Sequence, residues 1–239
     1  GDTSDMSIVV ASFDGGMFVF DTAGQLREGW PQRTNPEFST VTTPDWTLDE
    51  GFFSAPVLYD LDDDGDLEIV AAAMDQAVYV WHHDGSPMAG WPVIAADPLE
   101  DQRARIIVTP AVGDVDGDGA PEIIVGTNEV YGDIESRGYV LEHTGSTDPY
   151  DVNQALEVEP IVPTGVAVNV LPLVGRGIPT NPILANLDES EGLEFNLDSI
   201  GFYPQLWGHD GTQWRRDGEK VELNNSDFGD LSNSEDAPS

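Results

Sequence analysis

The sequence predicts an all-β chain, a β-propeller built of four-stranded antiparallel blades, and three observations carry that prediction. About four copies of a unit of roughly sixty residues recur along its 239 residues. The 25 glycines and 17 prolines are spread through the chain, which disfavours long helices and favours short strands joined by turns. The runs Ile69–Ala73 and Val78–Trp81 are apolar at successive positions, the pattern expected where both faces of a strand are covered. A radial stack of blades covers both faces.

The repeat shows in three registers. The segments "MFVFDTAGQ", "VYVWHHDGS", "YVLEHTGST" and "PQLWGHDGT" each join an apolar strand to a turn glycine, at Gly24, Gly85, Gly145 and Gly211. Pro56, Pro110 and Pro182 each stand four residues before an acidic or polar loop that starts at Asp60, Asp114 or Asn186. "REGWPQ" and "MAGWPV" place Trp30 and Trp91 61 residues apart. Within the second copy the order reads strand 55–60, acidic loop, strand 68–74, strand 77–82, an Asp84-Gly85 turn, and a fourth strand near 91–95.

These registers divide the chain into a partial first blade with its connection (1–52), two blades with strong loops (53–108 and 109–179, the latter carrying a long insert), a degenerate blade (180–221) and an acidic tail expected to be flexible (222–239). The first copy has "SIVVASF" where the second has "EIVAAAM", and it lacks the leading strand and most of the acidic loop. Four units stand at the lower end of the usual blade number, so the sequence reads as part of a larger propeller. "KVEL" at 220–223 is a weak candidate for a ring-closing strand.

Nine Lys plus Arg face 45 Asp plus Glu, a formal charge of −36, and Lys220 is the sole lysine. That balance argues against nucleic acid and anionic membranes as partners, since phosphate neutralisation needs basic side chains. It suits a binder of divalent cations or a protein of salty surroundings. There is no cysteine, hence no disulfide framework and no thiolate metal site. No apolar run reaches the length of a membrane helix. "GDTSDMS" carries no export signal, which is expected to lie upstream or to have been removed.

"DLDDDGDLE" and "DVDGDGAPE" hold the chemistry. Superposed, the loops give Asp60, Asp114 and Asn186 at position 1, then Asp62, Asp116 and Asp188 at 3, Asp64, Asp118 and Ser190 at 5, and Glu68, Glu122 and Glu194 at 9. Alternate residues of a tight loop present oxygens to one side, Gly at position 6 permits a sharp turn, and the carbonyl of Asp66 or Ala120 at position 7 can add another oxygen. Hard oxygen donors in this number suit Ca²⁺ better than Zn²⁺, and better than Mg²⁺, which keeps its waters. An EF-hand would need a bidentate Glu at position 12, where Ala71 and Val125 stand, and flanking helices where strands are predicted.

"APVLYDLDDDGDLEIVAAA" and "TPAVGDVDGDGAPEIIVGT" resemble the FG-GAP repeats of integrin-type propellers and their VCBS-like bacterial relatives, over about residues 6–218. The resemblance implies blades whose first two strands are joined by a Ca²⁺-binding loop. Its ligands would be Asp60, Asp62, Asp64, the Asp66 carbonyl and Glu68 in one site, and Asp114, Asp116, Asp118, the Ala120 carbonyl and Glu122 in the other. The third loop departs from the pattern, with Asn186 and Ser190 for two carboxylates and Glu191 in place of Gly, and the first copy keeps only "GDTSD", with Ser7 at the last ligand's position. Two calcium ions are therefore expected, with Asn186, Asp188, Ser190 and Glu194 a weak third set.

His82, His83, His143 and His209 lie beside repeated turns and read as turn residues, since equivalent places on different blades cannot converge on one ion. Trp30, Trp81, Trp91 and Trp207 recur at repeat positions and read as packing between blades. Trp46 in the 31–52 connection and the insert 147–180 break the repeat and are the expected surfaces for a protein or glycan ligand, although the insert reads equally well as an extra strand pair of its own. No motif of nucleophilic or metalloprotease catalysis appears. The functional expectation is a calcium-stabilised binding or scaffolding module, not an enzyme, working at the cell surface, in the periplasm or outside the cell, with further blades or subunits as possible companions. The alternatives are the propeller of a secreted carbohydrate-active enzyme and a quinone-dependent dehydrogenase, the latter suggested by the Gly-Trp ends of "DTAGQLREGW" and "DGSPMAGW".

Overall fold

A computed structural model describes residues 6–39, 50–96, 105–128, 138–156, 170–171, 178, 180–187, 192–197, 206–207 and 213–214. Within these, fifteen strands form four antiparallel sheets in chain order. The first sheet holds β1 (Ser7–Ala11), β2 (Gly16–Asp21) and β3 (Gln32–Arg33). The second holds β4 (Val57–Tyr59), β5 (Glu68–Ala72), β6 (Ala77–Trp81) and β7 (Val93–Ile94). The third holds β8 (Ala111–Gly113), β9 (Glu122–Gly126), β10 (Gly138–Glu142) and β11 (Val170–Leu171), and the fourth holds β12 (Ile183–Ala185), β13 (Glu194–Asn196), β14 (Leu206–Trp207) and β15 (Gln213–Trp214). Each sheet is a meander of sequence neighbours, so each is one propeller blade, and no described helix is long and apolar enough to cross a membrane.

The second and third sheets stack against their neighbours because their middle strands are buried on both faces. Every residue of β5 and β6 is buried. Ile69, Ala71, Tyr79 and Trp81 pack with Met17, Val19 and Trp30 of the first blade. The alternate residues Val70, Ala72, Val78 and Val80 pack with Ile123, Val125, Tyr139 and Leu141 of the third. On the far side of the third blade, Ile124 and Val140 meet Phe195 and Leu197 of the fourth. Uninterrupted apolar runs in the sequence are thus two half-faces, each serving a different neighbour.

The turn glycines and the Gly-Trp pairs stitch adjacent blades together. Trp30 Nε1 donates to the His83 carbonyl at 3.2 Å, and Trp91 Nε1 donates to the His143 carbonyl at 3.0 Å. Gly29 lies so close to the Asp84-Gly85 turn that an added Cβ would stand 1.8 Å from the Asp84 oxygen, and Gly90 stands in the same relation to Thr144.

Among the described residues the first sheet holds no strand corresponding to β4. Ile8 faces Phe20 across the ladder as Ile69 faces Trp81, so Ile8 and Val10 hold the places of Ile69 and Ala71. Ile8 is 54% exposed where Ile69 is 3% exposed, because no described blade covers that side.

The described part of the 147–180 insert is anchored to the blades at some residues and exposed at others, Tyr150 among them. Val152, Ala155 and Leu156 are buried between the second and third blades, the Pro149 carbonyl accepts from Ile94 N at 2.8 Å, and Val170–Leu171 is the outer strand of the third blade. In the 31–52 connection, Phe38 and Phe52 are buried. Trp46, Asp188, Ser190, Glu191, His209, Gly211, "KVEL" and the acidic tail lie outside the described residues.

Candidate metal centre

Each acidic loop joins the first two strands of its blade, between β4 and β5 and between β8 and β9. The chain turns sharply there because positions 4 and 6 are left-handed: Asp63 has φ 57° and Gly65 φ 94°, and Gly117 has φ 82° and Gly119 φ 97°. Asp tolerates this conformation better than most residues and glycine adopts it freely.

The carboxylates are held inward by backbone N–H groups of their own loop. Asp60 accepts from Asp64 N at 3.2 Å and Gly65 N at 3.1 Å, and Asp64 accepts from Asp66 N at 2.9 Å. In the second loop, Asp114 accepts from Gly117 N at 2.8 Å and Gly119 N at 3.1 Å, Asp116 from Asp118 N at 3.0 Å, and Asp118 from Ala120 N at 2.7 Å. Bonds of this kind orient oxygens but leave the negative charge uncompensated.

The last residue of each loop has a role that the spacing did not reveal. Glu68, Glu122 and Glu194 are buried, and one carboxylate oxygen of each accepts the backbone N–H of loop position 2. The pairs are Leu61 N to Glu68 at 2.8 Å, Val115 N to Glu122 at 2.6 Å and Leu187 N to Glu194 at 2.6 Å. The same clasp in all three loops makes this Glu a fastener of loop to strand.

Ligand atoms of Asp60, Asp62 and Asp64 lie within 4.8 Å of one another, as do those of Asp114, Asp116 and Glu122. Two carboxylates at such a distance repel by about 1–3 kcal/mol in surroundings between water and a protein surface. Burial pushes the Glu122 carboxyl up to about 8, with the charges of Asp116 and Asp114 acting in the same direction, and burial likewise raises Asp116. Among the described residues, the basic side chains at ion-pair distance from either loop are both histidines: His82 Nδ1 is 3.2 Å from Glu68 Oε1, and His83 Nδ1 is 3.5 Å from Asp66 Oδ2. A crowded oxygen set, partly buried and without Lys or Arg, fits a hard dication.

The structure gathers most of the sequence-predicted residues and separates a few. Glu68 joins Asp62 and His82 in a neighbouring group instead of the Asp60–Asp62–Asp64 set, and Asp118 stands outside the set of its loop. Asp66 points its exposed carboxylate toward His83. Ala120 donates its N–H to Asp118. Ser7 faces Asp21 across the first ladder, where Glu122 faces Glu142 in the third blade.

The strand–acidic loop–strand unit can now be compared with known proteins. Residues 60–125 match the FG-GAP-like repeat family. The matched span holds both acidic loops and the strands between them, so the likeness to this repeat covers most of the second blade and the start of the third. A comparison with curated proteins finds no match. Among solved structures, the chain is similar to the Pseudomonas aeruginosa PilY1 C-terminal domain, with TM-score 0.52 and 15% identity over 84% of this chain and 38% of that one. BamB from Moraxella catarrhalis aligns with TM-score 0.41 and 13% identity over 94% of this chain and 62% of that one. The chain thus spans less than two thirds of either length, and the likeness to the PilY1 domain is one of fold.

Proposed function

We propose that this chain is a calcium-stabilised β-propeller module that binds or scaffolds a protein or glycan outside the cytoplasm and performs no catalysis itself. The observation that carries this reading is the convergence of three carboxylates within 4.8 Å in each of two FG-GAP-like loops, with no Lys or Arg among the described residues to neutralise them. Asp60, Asp62 and Asp64 would hold one ion, and Asp114, Asp116 and Glu122 the other, with carbonyl oxygens and water completing the 6–8 ligands that Ca²⁺ takes. The ion's contribution is charge: it turns mutual repulsion in a strand connection into attraction, and so ties the first strand of a blade to the second. Loops open to solvent suit modest affinity, which saturates where calcium is about millimolar, and this supports a setting at a cell surface, in a periplasm or in the extracellular medium.

Thermal unfolding tests the proposal. An ion present at about ten times its dissociation constant adds roughly 1.4 kcal/mol per site to the native state. Two sites then shift the melting temperature by about 5–10 °C for a chain of this size. EGTA should lower the melting temperature by this amount and added Ca²⁺ should restore it. An unchanged melting temperature in protein shown to be free of metal would refute the reading.

A further inference from the structure

The two FG-GAP-like loops are not chemically equivalent. Glu68 opens β5 and His82 follows the last residue of β6, so the antiparallel register that pairs Ile69 with Trp81 sets the imidazole beside the carboxylate. His82 Nδ1 and Glu68 Oε1 are 3.2 Å apart, and together with Asp62 they bring a nitrogen and two oxygens within 4.8 Å of one another. In the third blade the residue across the ladder from Glu122 is Glu142. Between these two loops, the nitrogen donor is therefore specific to the second blade. It comes from a different strand than the acidic loop, and it stands beside a carboxylate that is fully buried while the imidazole itself is 29% exposed and open to an incoming ion.

We propose that Asp62, Glu68 and His82 form a mixed nitrogen–oxygen site for a first-row transition dication of the Zn²⁺ type, while the loop 114–122 keeps an all-oxygen set for calcium. This rests on the loop 60–68 being a cation site. Donor chemistry supports the distinction. Imidazole suits Zn²⁺ and its neighbours in the transition series, whereas Ca²⁺ draws on oxygen alone. Zn²⁺ holds nitrogen and oxygen ligands tetrahedrally at about 2.0–2.2 Å, so two donors on one ion stand about 3.5 Å apart. The three groups, gathered within 4.8 Å of one another, need only small side-chain movements to reach that spacing. Glu68 keeps a second attachment: its Oε2 remains on Leu61 N at 2.8 Å, which fixes the carboxylate while Oε1 faces His82. With hydrogen on Nδ1 the ring donates to Glu68; the other neutral tautomer presents the Nδ1 lone pair, so a neutral imidazole can turn ligand without losing a proton. Because Asp62 belongs to both groups of the loop, a transition ion and calcium compete there.

The test titrates the full chain with Co²⁺, whose visible bands report nitrogen ligation, and in parallel with Ca²⁺ by calorimetry. The variants are His82→Ala, His82→Gln and His83→Ala. Gln keeps a hydrogen bond to Glu68 but coordinates poorly, so it separates ligation from positioning. One Co²⁺ per chain should bind in the wild type and in His83→Ala with hyperfine-shifted His82 ring signals, and both His82 variants should weaken it roughly tenfold or more. Calcium binding at 114–122 should be the same in all four proteins. Wild-type Co²⁺ affinity in both His82 variants, or loss of binding in His83→Ala alone, overturns the proposal and leaves the calcium reading standing. Failure of both loops to bind Ca²⁺ in the wild type overturns the calcium reading instead, whatever His82 does.

Discussion

Gly24, Gly85 and Gly145 hold the same place in three successive blades, yet they should respond very differently to alanine. All three are left-handed, at φ 76°, 84° and 64°. That conformation costs an L-residue about 1–2 kcal/mol, a term common to the three positions. They differ in what an added Cβ would meet. At Gly24 nothing lies within 4 Å, because no described blade packs on that side of the first turn. At Gly85 the Cβ would stand 2.5 Å from the Gly29 oxygen, and at Gly145 it would stand 2.4 Å from the Gly90 oxygen. An ordinary contact begins at 3.4 Å, so the blades must separate by about 0.9 Å at Gly85 and about 1.0 Å at Gly145. Separation stretches the Trp30 bond to the His83 carbonyl in the first case and the Trp91 bond to the His143 carbonyl in the second, each worth about 1 kcal/mol, and opens packed apolar surface beside it. Gly24→Ala should therefore cost about 1–2 kcal/mol, and Gly85→Ala and Gly145→Ala about 3 kcal/mol or more. Denaturant unfolding followed by Trp fluorescence measures all three. Equal losses at the three positions would refute the idea that these glycines are stitches between blades.

Three further outcomes follow from other contacts. Tyr79 donates its hydroxyl to buried Asp75 at 2.6 Å and accepts Asn35 N from the first blade at 2.9 Å, so Tyr79→Phe should lower stability by about 1–3 kcal/mol in denaturant melts. Glu194→Ala should destabilise the protein by a similar amount with or without calcium, because it removes the acceptor of Leu187 N; a loss seen only in calcium would assign that Glu to a metal instead. Hydrogen bonds from Gln154 and then Asn153 hold the Asp151 carboxyl below its usual 3.8, so its contribution to stability is present above that pH and is lost as pH falls through the lower native value. A carboxyl ¹³C titration of Asp151 with a midpoint at or above 3.8 would contradict this.

Much of the second blade was legible because its pattern is dense. The expected strands 55–60, 68–74 and 77–82 contain β4, β5 and β6, and the doubly apolar runs were correctly read as strands covered on both faces. The placing of Trp30 and Trp91 between blades also followed from their recurrence. The partner side of those stitches did not, because nothing local in "REGW" announces that Gly29 will abut a turn 55 residues later. His82 was read as a turn residue for a related reason. Its meeting with Glu68 comes from ladder register, and counting back from the Asp84-Gly85 turn to the start of β5 would have exposed it. The clasping role of Glu68, Glu122 and Glu194 was hidden because spacing marks a carboxylate as a ligand without saying that one of its oxygens is already committed to a backbone N–H.

Calcium calorimetry on the full chain and on two single-loop variants bears most directly on the loops. The wild type should take up two ions, and Asp64→Asn and Asp116→Asn should each retain one, since each substitution removes a charge from a different carboxylate cluster. No calcium uptake by the wild type, or two undiminished sites in both variants, would contradict the assignment of 60–68 and 114–122 as metal loops.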